Sequence, residues 1–202
     1  MKFVIATGNE GKVREFKRIL EPMGFGAVSM KELGLVLDVE ETGKTFSENA
    51  YLKAEAVCRL TGLPAIADDS GLCVDALNGA PGVYSARYSG QGDDGNNQKL
   101  LDEMADVPPE KRTARYVCAI CCCFPDGTRL TAQESCEGAI GYELSGEQGF
   151  GYDPLFYVGE RSFGQYSDEE KDAISHRGKA LRLFCETLKK HRISDEWTGE
   201  KD

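Results

Sequence analysis

A chain of 202 residues with a formal net charge of −10, 41% hydrophobic and 29% charged residues, is long enough for one sizeable core and predicts a single domain over residues 1–202. No apolar run approaches the ~20 residues of a membrane span. The acidic balance argues against sequence-independent nucleic-acid binding, which needs clustered Lys and Arg.

The N-terminus passes at once into a strand, Lys2–Ala6, without an apolar signal core, which predicts a cytoplasmic protein. Thr7-Gly8-Asn9-Glu10-Gly11-Lys12 follows and opens a helix from Lys12 to Glu21, closed by Pro22 and Gly24. Strand, glycine turn and helix start together aim free N–H groups and a helix dipole at a phosphate, with Lys12 as a point charge. Only Asn9 and Glu10 separate Gly8 from Gly11-Lys12, so this is not a P-loop. A short segment at Ala27–Ser29, an acidic stretch Asp38–Glu41 and a helix over Thr45–Leu60 come next. Ala65-Ile66-Ala67 reads as a short buried strand ending at Asp68-Asp69-Ser70-Gly71, ahead of the Asn78–Val83 loop.

Ser89–Asn97 reads as a mobile polar loop and Asn96–Met104 as a helix. Arg115–Phe124 and Arg129–Gly138 form a hairpin across Pro125-Asp126-Gly127, with a further short strand expected in Gly138–Leu144 and another at Pro154–Val158. A last helix from about Ser175 to His191 carries Ala180, Leu181, Leu183, Phe184 and Leu188, and a polar tail is expected from about residue 194. Cys118 and Cys121 have C-x-x-C spacing, but residues three apart on a strand face opposite sides, so core-filling thiols in a reducing compartment are expected.

Four clusters carry chemistry. Asp68 and Asp69 close an apolar strand, where open α/β sheets place ligands, and adjacent carboxylates call for something positive beside them. With Glu40 and Glu41 they can hold one Mg²⁺, which takes one or two carboxylates plus phosphate oxygens. Lys12 and Lys53 would balance phosphate charge, and Asp69 is the choice for a base accepting a proton from attacking water. Phe150-Gly151-Tyr152-Asp153 offers aromatic faces and an acceptor for a purine ring N–H, and Lys171 with Ser175-His176-Arg177 supplies donors. Individually each cluster also suits an ordinary turn, a solvated face or a structural histidine.

Together, Thr7-Gly8-Asn9 with Lys12 and Glu15, Glu40-Glu41-Thr42-Gly43 through Glu48-Asn49-Ala50, Ala67-Asp68-Asp69-Ser70-Gly71, Gly79–Tyr88, Phe150-Gly151-Tyr152-Asp153-Pro154 and Ser175-His176-Arg177 resemble the inosine triphosphatase family. The likeness is to its bacterial dITP/XTP pyrophosphatases and runs from about residue 1 to about residue 190. It implies an elongated mixed α/β sheet with flanking helices, two lobes around a central nucleotide cleft, and a homodimer. The implied activity is Mg²⁺-dependent hydrolysis of ITP, dITP and XTP to monophosphate and pyrophosphate, with no nucleic-acid or membrane partner. By that pattern Thr7, Gly8, Asn9, Glu10, Gly11 and Lys12 hold the phosphates. Asp69 is base and metal ligand with Glu40 or Glu41, Ser70 touches substrate, and Phe150, Gly151, Tyr152, Asp153, Lys171, His176 and Arg177 contact base and sugar. Donors such as His176 and Arg177 would favour an oxygen at purine position six over the adenine amino group. The rival readings are a pyrophosphatase for other modified nucleotides and a sensor that binds without turnover. The Cys121-Cys122-Cys123 run departs from the family pattern but lies outside these motifs.

Overall fold

The structure, a computed structural model, describes residues 1–198, with side chains described through His191. Twelve regular elements build it: β1 (Lys2–Ile5), α1 (Glu10–Leu20), β2 (Gly26–Ser29), α2 (Phe46–Thr61), β3 (Ala65–Val74), α3 (Gly92–Glu103), β4 (Thr113–Cys123), β5 (Arg129–Ile140), β6 (Phe156–Val158), β7 (Arg161–Ser162), α4 (Asp168–Ile174) and α5 (His176–Thr198). The strands form one mixed sheet in the order β2-β1-β3-β4-β5-β6-β7. β1 runs parallel to β2 and β3, and every later pairing is antiparallel.

Helix boundaries follow local chemistry. Asn9 caps α1 by accepting from the Lys12 N–H at 3.1 Å. Thr45 and Glu48 form a reciprocal capping box at the start of α2, which ends at Gly62 in a left-handed conformation. Helices α1 and α5 cover one face, where Phe16, Ile19, Leu181, Phe184 and Leu188 meet Phe3, Ile5, Ile66 and Ile120. Helix α2 covers the other, where Ala50, Ala54 and Val57 meet Val4, Ala65, Ala67 and Cys121. A third apolar cluster, including Leu72, Leu100, Tyr116, Ile140, Phe156 and Phe163, fills the far end of the long strands. The expected two-lobed mixed sheet is therefore present, with β3, β4 and β5 running through both parts. Burying each large apolar side chain contributes roughly 1.5–3 kcal/mol.

Several expectations change. β3 does not stop at Ala67: its pairing with β4 continues from Ala65↔Cys123 to Val74↔Ala114, so Asp68 and Asp69 lie within a strand. Helix α3 begins at Gly92 and takes in the expected mobile loop from Gly92 onward, because Asn96 anchors its first turns by accepting from Ser89 N at 2.7 Å. β5 extends to Ile140 instead of yielding a separate strand to Leu144. The short α4 was not foreseen, although Ser167 and Glu170 box its start. The expected polar tail from residue 194 is helical to Thr198 as part of α5, and residues 199–202 lie outside the described residues. Cys118 belongs to one face's core and Cys121 to the opposite one, as strand alternation requires. Among the described residues no helix is long and apolar enough to cross a membrane.

Candidate active site

β1 is the point where the sheet's strand order reverses: the chain leaves it for β2 on one side and returns to β3 on the other. Open α/β sheets bind ligands outside the carboxyl end of such a strand. Here that end is Thr7-Gly8-Asn9 and the first turn of α1, whose leading N–H groups have no intrahelical partner. β3 outlasts β1 in this gap and exposes its middle residues to a cavity of about 140 Å³ lined by Asn9, Lys12, Glu41, Asp69, Ser70, Tyr116, Phe150, Asp153, Lys171, His176 and Arg177. A neighbouring groove shares Asn9, Lys12 and Glu41 and adds Thr7, Gly8, Asp38 and Lys53.

Alternation along β3 sends its two aspartates to opposite faces. Asp69 turns toward α2, where Lys53 Nζ lies 3.1 Å from its Oδ1 and Asn49 Nδ2 donates to its Oδ2 at 3.2 Å. Burial pushes the Asp69 carboxyl above its ordinary value, outweighing the opposing pull of Lys53 and Lys12. Glu41 Oε1 accepts from the same Lys53 ammonium at 2.7 Å. Burial lowers the Lys53 pKa, but Asp69, Asp68 and Glu41 outweigh it and hold the ammonium protonated.

Of the acidic pair, Glu41 is half-buried at the site, whereas Glu40 is exposed and lines neither cavity. Of the expected set Glu40, Glu41 and Asp69, in which the choice between the two glutamates was open, Glu41 and Asp69 come together, while Asp68 turns to the other face of β3. Among the described residues no three of His, Cys, Asp and Glu cluster as metal ligands. Two carboxylate oxygens, from Glu41 and Asp69, nevertheless converge on one cation, the Lys53 ammonium. That sparse hard-oxygen set fits Mg²⁺, which draws its remaining ligands from water and phosphate.

Asp68 turns toward α1 and α5 and is fully buried. Its Oδ2 accepts from Arg177 Nη2 at 3.0 Å and from Ser70 Oγ at 2.9 Å, with Lys12 Nζ at 3.1 Å. Arg177 also binds Ser70 Oγ at 2.8 Å and Glu15. Lys171 completes the cluster, 2.9 Å from Glu15 Oε1 and 2.7 Å from Asp153 Oδ2. Burial alone would raise the Glu15 carboxyl, but Arg177 and Lys171 bring it down to about 2. Arg177 and Asp153 thus hold protein partners while both line the cavity.

His176 stacks on Tyr116 with ring centroids 4.5 Å apart and planes 7° from parallel. Its Nδ1 is buried without a hydrogen-bond partner, and burial followed by the nearby Arg177 charge holds its pKa well below the ordinary value. The native imidazole stays neutral, while the unfolded one takes up a proton as pH falls through about 6.5. Stability carried by neutral His176 is therefore present above that pH and lost below it. Thermal unfolding is expected to show Tm falling from pH 7 to pH 5, and His176→Phe, which keeps the stack, to flatten that slope.

The Thr7–Lys12 turn leads from β1 into α1. Asn9 spends its side-chain oxygen on capping α1, and Thr7 Oγ1 accepts from Asn9 N at 3.2 Å. The Glu10 side chain points away to Lys31, 2.7 Å distant, and leaves only its backbone toward the turn. Gly11 lies inside α1 beneath Phe150: a Cβ there would come within 2.8 Å of the ring. Its need for glycine comes from the aromatic lid as much as from any ligand.

A family model described as the Ham1 family matches residues 3–187. The chain belongs to the Ham1 family. One Ham1 relative, the dITP/XTP pyrophosphatase of Desulforamulus reducens, is 52% identical over 200 residues, covering 97% of this chain and 100% of the relative. The dITP/XTP pyrophosphatase of Escherichia coli O157:H7 is 50% identical over 194 residues, covering 93% and 98%. The solved Staphylococcus aureus Ham1 protein superimposes with a TM-score of 0.83 at 42% identity, covering 95% of this chain and 100% of that one.

Within this Ham1 chain, four residues at the site have no role read from the sequence, although Glu15 and Asn49 stand in the motifs that carry the resemblance. Asn49 accepts from Gly43 N at 2.8 Å while bonding Asp69, so it ties the acidic loop to the carboxylate. Tyr116 carries His176, and Asp93 lines the cavity rim. Glu15 did leave a signal: it is a charge on the buried stripe of α1 beside Phe16, Ile19 and Leu20.

Proposed function

We propose that the chain is a single-domain, Mg²⁺-dependent pyrophosphatase that hydrolyses ITP, dITP and XTP to the nucleoside monophosphate and pyrophosphate. The observation that carries this reading is Asp69, a carboxylate with a raised pKa held by Lys53 and Asn49 beside the N-terminus of α1. Relatives about half identical over nearly the whole chain and named dITP/XTP pyrophosphatase support it.

Asp69 accepts the proton of the attacking water, and Asn49 keeps its carboxylate in line. Lys12, Lys53 and the Thr7–Gly11 backbone hold the triphosphate and stabilise its developing charge. Asp69 and Glu41 would hold Mg²⁺, which when bound would supply charge stabilisation at the phosphate oxygens. Phe150 stacks on the purine, and Gly151, Tyr152, Asp153, Lys171, His176 and Arg177 shape the base and sugar pocket, with Ser70 at its floor. Neutral His176, flat against Tyr116, presents its ring nitrogens at a fixed angle, and a site built on such bonds rejects a base lacking the matching group. The enzyme acts as a cytoplasmic homodimer on free nucleotides, without nucleic-acid or membrane partners; equilibrium sedimentation tests the assembly.

The deciding experiment supplies Mg²⁺ with equimolar dITP, XTP, dGTP and ATP and measures pyrophosphate and phosphate separately. Pyrophosphate from dITP and XTP, with little from dGTP and ATP, is expected. Free phosphate, or binding without product, would replace the reading with a phosphohydrolase or a sensor. Gly11→Ala, which displaces Phe150, is expected to raise KM for dITP about tenfold through lost base stacking while changing kcat less.

A further inference from the structure

The segment carrying Phe150 and Asp153 has no strand or helix of its own: residues 141–155 join β5 to β6 through turns. Gly149 and Gly151 stand at φ of +79° and +64°. Glycine has little intrinsic preference for one conformation, so contacts from elsewhere must select this one. Both backbone groups of Gly151 bind a single helix. Its N–H donates to Asp93 Oδ2 at 2.9 Å, and its C=O accepts from Asn97 Nδ2 at 2.9 Å.

Asp93 and Asn97 are four residues apart on α3 and share a face. Asn97 is buried, and its Oδ1 has no hydrogen-bond partner, so the bond to Gly151 is what its amide contributes. The next residue back, Asn96, donates to the carbonyls of Ser85 and Ala86 on the opposite cavity wall, each at 3.3 Å. Tyr152 closes the frame by donating its hydroxyl to Ser85 O at 2.8 Å. Helix α3 therefore sets the distance between the aromatic turn and the wall facing it.

We propose that Asp93 and Asn97 are positioning residues that determine base specificity, gripping the two sides of Gly151 so that Phe150 and Asp153 meet the purine in one fixed geometry. This rests on the pyrophosphatase reading above. Both residues bond the base turn, whereas Asp69 is held by Lys53 and Asn49, so their loss degrades substrate fit and discrimination and spares the chemical step.

The test compares Asp93→Ala, Asp93→Asn and Asn97→Asp with the parent, using dITP and dATP in Mg²⁺, with thermal melts confirming folding. Asp93 is exposed, so its variants can fold whatever Asn97→Asp does. For Asp93→Ala, loss of a charge-assisted hydrogen bond is expected to raise KM for dITP about tenfold and cut the dITP/dATP ratio of kcat/KM by a similar factor. Its kcat on dITP should stay within about twofold. Asp93→Asn retains an acceptor and should recover most of the loss. Asn97→Asp keeps the shape but turns an acceptor toward Gly151 C=O, and should match or exceed Asp93→Ala. A ratio unchanged in both Asp93→Ala and Asn97→Asp, or a loss confined to kcat, overturns the inference. A parent with no preference for dITP instead sinks the pyrophosphatase reading, and the two failures are thereby distinguished.

Discussion

Asp69→Asn is expected to lower kcat/KM for dITP by about 10³-fold or more, the span a positioned general base contributes, while the protein stays folded. The amide keeps the shape and its one oxygen can accept from Lys53 or from Asn49, but it accepts no proton from water. The sign of the stability effect follows from the raised pKa. A carboxyl whose pKa is higher folded than unfolded favours folding when protonated, and that contribution is lost as pH rises through the folded value. At neutral pH the ionised Asp69 therefore burdens the fold, and a neutral amide relieves it. Lys53 retains Glu41 as a partner. Thermal melts at pH 7 should give a Tm no lower than the parent's, alongside the collapse in turnover. A near-parental rate would remove Asp69 from the role of base.

Glu15→Gln should show the opposite pattern, large in stability. Glu15 is buried between Arg177 and Lys171 and is the carboxylate they share, so its loss leaves the buried cluster one negative charge short. Removing one partner of a buried ion pair costs about 3–5 kcal/mol, which for a chain of this size lowers Tm by about 10 °C. The carboxyl has a depressed pKa, about 2 against 4.5. Its stabilisation is complete above pH 4.5, and is lost as pH falls toward 2. The difference in Tm between parent and variant should thus be constant from pH 7 to about 5 and shrink below that. A gap that persists unchanged to the lowest pH at which both fold would mean that packing, and not charge, accounts for it.

Legibility differed by cause. The glycine turn, the helical spacing of α2 and the apolar stripe of α5 are local patterns, and their elements formed nearly where the residues indicated. The end of β3 was misplaced because the polar sequence Asp68-Asp69-Ser70-Gly71 resembles a turn. What keeps it extended is pairing with β4, a long-range contact that local composition does not reveal. The same limit applies to the site. Asp69, Lys12 and Lys53 could be singled out by residue type, but Asp68 reads the same as Asp69, and only the pleat separates them. Glu40 and Glu41 differ for a similar reason, since one reaches Lys53 and the other faces solvent. Asn49 and Asn97 were invisible as site residues because neutral amides act here through the backbone groups and carboxylates they meet.

The opposed aspartates of β3 also bear on how this chain can change in length. Sliding β3 by a single residue along β4 would exchange its two faces, delivering Asp68 to Lys53 and driving Asp69 among Arg177 and Glu15. An insertion or deletion between Ala65 and Ser70 therefore damages catalysis and the buried ion cluster in one event. The β4–β5 turn at Pro125-Asp126-Gly127 lies beyond the last paired residues, Cys123 and Arg129, and is free of that coupling. Grafts and added residues belong there, while the span around Asp68 and Asp69 tolerates no change in the number of its residues.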